Sequence, residues 1–188
     1  MKKVQVEPFV ESLFQGPLLR RIIAWVLRVV AVVVAFTGLF FAFSIIGGIV
    51  QVISYDVPQA LGLLIALIVV LAAFFVAVKV LFFRAKVLLS QRELDYPITT
   101  ISSLLLKVLG ELLALFASGA GLVTGILLWF VGSNSDIPGF LQGLVFPAPS
   151  FVQGLVLIIA SQVYALLTLT FFYLLAELLN IFRNIATK

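Results

Sequence analysis

Charged residues are missing from four stretches of this chain, each long enough for a helix to cross a lipid bilayer. The stretches run Val29 to Tyr55, Val57 to Val78, Leu112 to Ser135 and Ile137 to Ala176. All reach or exceed the roughly 20 residues that span a hydrocarbon core as helix. The pattern predicts an all-α integral membrane protein with four transmembrane helices. Proline marks their starts. Gly16-Pro17 opens the first, because proline's missing N–H costs nothing in a first helical turn. Tyr55-Asp56-Val57-Pro58 turns the chain into the second, and Asp95-Tyr96-Pro97 repeats the entry signal for the third. The third helix has an apolar body from Leu112 to Trp129, followed by a Gly132-Ser-Asn-Ser-Asp136 loop. The last charge-free stretch is 40 residues, too long for one span, and Pro138, Gly139, Pro147 and Pro149 interrupt it. The fourth helix is therefore expected from Ser150 to about Ile181.

The organisation that follows is a segment 1–16, a first hairpin 17–92, and a second hairpin 93–188 with an outer insert 138–149. In the first segment Phe9, Val10, Leu13 and Phe14 oppose Glu11, Ser12 and Gln15, the pattern of a short amphipathic helix lying at the interface. The opening Met-Lys-Lys is not read as a signal peptide, since Glu7, Pro8 and Glu11 break any short apolar core; the first span is expected to be retained.

Charge orients the picture. All 12 Lys and Arg residues fall at the N-terminus, in the central stretch Lys79 to Glu111, or at the C-terminus; the two other connections hold none. The positive-inside rule then puts both termini in the cytoplasm. With 63% hydrophobic residues, 11% charged and a mean hydropathy of +1.28, a soluble domain would lack the polar surface to cover itself. The net charge of +4 lies beside apolar spans, so anionic lipid headgroups, not nucleic acid, are the expected partners. No cysteine or histidine occurs, which removes thiol nucleophiles, disulfides and the usual zinc ligands. No cofactor is expected.

The two hairpins read as copies. Pro17 and Pro97 are 80 residues apart, as are Asp56-Val57-Pro58 and Asp136-Ile137-Pro138, and Arg28 matches Lys107 within one residue. Each copy starts and ends inside, so the repeats are parallel, unlike the inverted repeats of many transporters. Phe140-Leu-Gln-Gly143-Leu-Val145 recurs as Phe151-Val-Gln-Gly154-Leu-Val156, eleven residues on, and marks the insert as a local duplication. It reads as a segment capping the outer surface, with a re-entrant pore loop as the other possibility.

Small residues predict close helix contacts. The third helix carries Gly110, Ala114 and Ser118 on one ridge and Ala117, Gly121 and Gly125 on another, while the first offers Ala31 with Ala35, Gly38 with Ala42, and Ser44 with Gly48. The first and third helices are expected to form the tight core, with the bulkier second and fourth outside. At the cytoplasmic end Arg28, Lys79, Lys107, Glu111 and Glu177 are expected to form an ion-pair layer. In it Arg28, Lys79 and Lys107 are candidate partners for Glu111, and Glu177 also needs one. On the fourth helix Gln162, Thr170, Tyr173, Glu177, Asn180 and Asn184 share a stripe at mostly three- and four-residue steps. This stripe reads as an interhelical hydrogen-bond seam; the competing reading is a polar path in an oligomer.

The ending Glu177-Leu-Leu-Asn-Ile-Phe-Arg183-Asn-Ile-Ala186 resembles that of a small bacterial two-helix membrane domain of unknown function. The second helix of that domain closes on a Glu followed by Phe-Arg-Ile-Ala-Glu-Asn. Leu81-Phe-Phe83-Arg84-Ala85 corresponds to the same ending in the first copy, without the Glu. The resemblance implies a bacterial inner-membrane location and no assigned activity. The residues themselves show no H-E-x-x-H, G-x-S-x-G or glycine-rich phosphate loop. The expected function is that of a non-enzymatic accessory, assembly or scaffold subunit that binds other membrane proteins or itself. A homo-oligomeric channel or small transporter is the alternative.

Overall fold

The structure, a computed structural model, describes residues 17–90, 97–131 and 150–186, and these form four long helices: α1 (Pro17–Val52), α2 (Val57–Ser90), α3 (Pro97–Val131) and α4 (Ser150–Ala186). The interfacial segment 1–16, the Asp95-Tyr96 entry, the Gly132 to Asp136 loop and the insert 138–149 lie outside the described residues. All four helices are long and apolar enough to cross a membrane. Only between 11% and 22% of each span is buried inside the molecule. The remaining residues are half-buried or exposed, and the exposed ones are mostly large apolar side chains that only lipid or another apolar partner covers without cost.

The short link between α1 and α2 holds a capped start. Asp56 Oδ1 accepts a hydrogen bond from the Gln59 N–H at 3.1 Å, satisfying one of the donors a helix N-terminus leaves open. That link folds α2 back on α1: Gly38 lies against Phe74 and Gly48 against Leu63. The same antiparallel register sets Ala24, Leu27 and Ala31 level with Leu88, Ala85 and Leu81. α3 runs antiparallel to α2, with Gly119 against Ala73 and Gly62 against Phe130. α4 runs antiparallel to α3, with Gly110 against Phe172 and Gly125 against Ile158.

The packing therefore follows chain order, and this corrects the expected core. The extensive contacts are α1 with α2, α2 with α3, and α3 with α4. α2 and α3 are central and α1 and α4 flank them. The reason is that small residues on α1 and α3 receive large side chains from their neighbours in sequence, as Gly38 receives Phe74 and Gly110 receives Phe172. Large-on-small contact satisfies a groove as well as small-on-small contact does.

Helices of 34 to 37 residues are about 50–55 Å long, whereas a hydrocarbon core takes about 30 Å. Measured from their charge-free ends, the surplus turns fall at the basic ends. There the main core sits: Ala24, Leu27 and Ala31 of α1, Leu81, Ala85 and Leu88 of α2, and Ile101, Leu104 and Val108 of α3. Each triplet has heptad-like three- and four-residue spacing, the seam of a short three-helix coiled coil. Toward the other end α1 and α3 diverge. An apolar cavity of about 450 Å³ opens between them, lined by Phe41, Ile45, Phe74, Phe116, Ala120 and Val123 among others.

Candidate functional site

The polar chemistry of the described residues concentrates where α2, α3 and α4 meet near the basic end. Glu111, half-buried on α3, forms an ion pair with Arg84 of α2. Arg84 Nε donates to Glu111 Oε2 at 3.1 Å and Nη2 donates to Oε1, the two-pronged geometry that suits guanidinium and carboxylate. Tyr173 of α4 completes the group. Its hydroxyl donates to Glu111 Oε1 at 2.5 Å and accepts from Arg84 Nη2 at 3.0 Å. One carboxylate thus ties three helices.

Backbone direction explains why Arg84 is the partner. Cα–Cβ bonds tilt toward the N-terminus of a helix. On α2 this aims side chains from the basic end back toward the apolar body; on antiparallel α3 it aims them the opposite way. Arg84 and Glu111 therefore reach toward each other from different levels. Lys79, placed at nearly the same level as Glu111, tilts past it.

The other expected members of the layer are placed differently. Lys79 is exposed, with its ammonium 4.4 Å from the centre of the Phe75 ring. Lys107 is half-buried and its ammonium lies 5.3 Å from the centre of the Tyr173 ring. Both are cation–π contacts of the kind worth about 0.5–2 kcal/mol depending on desolvation. Arg28 and Glu177 are exposed on α1 and α4, and neither joins Glu111. Sequence reasoning missed Arg84 as a partner. The signal that finds it is the opposed tilt of side chains on antiparallel helices, not a count of residues from the helix ends.

The α4 stripe divides. Gln162 Oε1 accepts a hydrogen bond from the Ser118 hydroxyl of α3 at 2.8 Å, and Tyr173 joins the Glu111 group, so both face α3. Thr170 is exposed and its hydroxyl donates to the Leu166 carbonyl one turn back, at 2.8 Å. Asn180 is half-buried, and the side chain of Asn184 lies outside the described residues. At the opposite end of α3, Trp129 Nε1 donates to the Phe151 carbonyl at 3.0 Å and the indole stacks on the Phe151 ring. Deeper within the bundle, the Thr124 hydroxyl donates to the Ala120 carbonyl of its own helix at 2.9 Å.

Between α2 and α3, beside the ion pair, a recess of about 320 Å³ is lined by Lys79, Val80, Phe83, Arg84 and Glu111. Its chemistry is two cations and one carboxylate on an apolar wall. Among the described residues no cluster of three or more carboxylates and other ligating groups could hold a metal ion. The chain matches no protein-family model, no curated protein and no solved structure, so none of these comparisons bears on the resemblance to the bacterial two-helix domain.

Proposed function

We propose that this chain is a multi-pass protein of a bacterial inner membrane that acts by binding other membrane proteins, as a non-enzymatic accessory, assembly or scaffold subunit. One observation carries the reading. The polar side chains that face neighbouring helices bond to one another, Arg84 with Glu111 and Tyr173, Ser118 with Gln162, while the apolar divergence between α1 and α3 stays uncovered. A chain whose polar groups are consumed internally is suited to adhesion more than to conduction. This also weakens the channel alternative, since two residues of its polar α4 face, Gln162 and Tyr173, are spent on α3. Extraction in mild detergent followed by native electrophoresis is expected to show a stoichiometric assembly larger than the chain. A partner-free monomer in every mild detergent tried, together with solute flux in proteoliposomes, would replace the reading with the channel.

Orientation and duplication belong to the same proposal. Twelve cations on one side support cytoplasmic termini. The helix registers support two copies of one hairpin. In α1 and α2, Gly38 meets Phe74; shifted by 80 residues, Ser118 would meet Gly154, yet it meets Gln162, eight residues further on. An insert in the second turn displaces the pairing in this sense, and the eleven-residue duplication is of that order. A membrane-impermeant label attached to a cysteine at Tyr55 is expected to react from outside intact spheroplasts. Labelling only after lysis would reverse the orientation.

A further inference from the structure

The geometry points to the recess between α2 and α3 as a binding site for the phosphate of an anionic lipid, held by Lys79 and Arg84 beside Val80 and Phe83. Charge is the first reason. Lys79 and Arg84 line the recess with a single carboxylate, Glu111, so it keeps one positive charge after the ion pair is counted. Both oxygens of Glu111 are engaged by Arg84 and Tyr173, and Lys79 rests on an aromatic ring instead of a carboxylate.

Position is the second. Lys79 ends the apolar run of α2, and the tilt of its side chain carries the ammonium back over Phe75, toward the hydrocarbon. A basic residue on α1 or α3 near the same boundary tilts the other way and snorkels outward. On α2 the side chain starts in the wrong direction, so an anion drawn inward meets it more readily than it reaches the headgroup layer. The recess supplies room, about 320 Å³, and apolar lining from Val80 and the exposed Phe83. Arg84 spends Nε and Nη2 on Glu111 and Tyr173, which holds the guanidinium rigid and leaves its Nη1 donors for a further acceptor. Guanidinium and ammonium both pair with phosphate, the first through a planar fork of donors and the second as a point charge.

The test is native mass spectrometry of the purified full chain offered phosphatidylglycerol, phosphatidylcholine or inorganic phosphate. The expected result is retention of phosphatidylglycerol over phosphatidylcholine, a preference reduced about fivefold in Lys79→Gln, as expected for about one lysine's attraction to an anionic headgroup. Lys79→Arg should retain it, and Arg28→Gln, which removes an exposed cation from α1, should leave it unchanged. Because Lys79 is exposed and outside the ion pair, Lys79→Gln should fold; an unchanged unfolding midpoint confirms that binding is what is read. Equal loss in Lys79→Gln and Arg28→Gln would overturn the site in favour of diffuse surface attraction. Displacement of the lipid by millimolar inorganic phosphate would overturn the lipid assignment.

Discussion

Replacing Gly125 with valine will cost about 3 kcal/mol of stability and pry α4 from α3. A Cβ at this position would stand 2.6 Å from the Gly154 carbonyl oxygen and 2.5 Å from Ile158 Cγ1. A leucine or isoleucine tip yields to an added methyl group, but a helix backbone cannot, so the helices must separate. Overpacking against side chains typically costs about 1–3 kcal/mol, and obstruction by backbone belongs at or above the top of that range. Helix separation also removes the Ser118 to Gln162 hydrogen bond, because the two residues lie within two turns of the contact. The chain has no cysteine, so a Ser118→Cys, Gln162→Cys pair gives a clean disulfide report on this interface. Crosslinking should fall sharply when Gly125→Val is added. Gly47→Ala is the control, since nothing lies within 4 Å of a Cβ there. Equal stability and equal crosslinking in both variants would mean that α3 and α4 do not approach as described.

The second large effect is at the ion pair. Arg84→Ala is expected to cost about 2–3 kcal/mol, somewhat below the 3–5 kcal/mol of a fully buried pair, because both side chains keep about a fifth of their surface exposed. Most of that loss comes from stranding Glu111, not from forfeiting attraction. Glu111→Ala should therefore be comparably harmful, and the double variant Arg84→Ala, Glu111→Ala clearly less harmful than the two losses added together. Unfolding in mixed micelles measures all three. Strict additivity would show that the two residues act independently.

These two sites also show what the sequence discloses and what it withholds. Helix number and position were legible because lipid imposes a length and proline punctuates the chain at Pro17, Pro58 and Pro97. Close approach was legible from Gly121 and Gly125, since in lipid only small residues let backbones meet. Which helix approaches was not. A ridge of small residues describes one surface and is silent about its partner, so Gly38 pointed as well to α3 as to Phe74 of α2. Tyr173 and Gln162 were recognisable as polar residues in search of partners, and Thr170 looked the same; only its hydrogen bond to the Leu166 carbonyl distinguishes it. Glu111 announced itself as an acid in need of a partner, but its cation was hidden by a geometric detail. Matching residues by depth selects Lys79, whereas side-chain tilt on opposed helices selects Arg84.

The coiled-coil seam formed by Ala24, Leu27, Leu81, Ala85, Leu88, Ile101 and Leu104 lies toward the basic ends, where helices this long outrun a hydrocarbon core of about 30 Å. Water there drives apolar surfaces together, at roughly 25 cal/mol per Å² buried. Within the bilayer no such force acts, and α1 is kept by contacts such as Gly38 on Phe74 alone. The two ends of the molecule thus answer to different solvents. Urea or low temperature should loosen the basic knot and spare the lipid-bound half, while a change of lipid or detergent should spread α1 from α3 like a clothes peg whose spring stays wound.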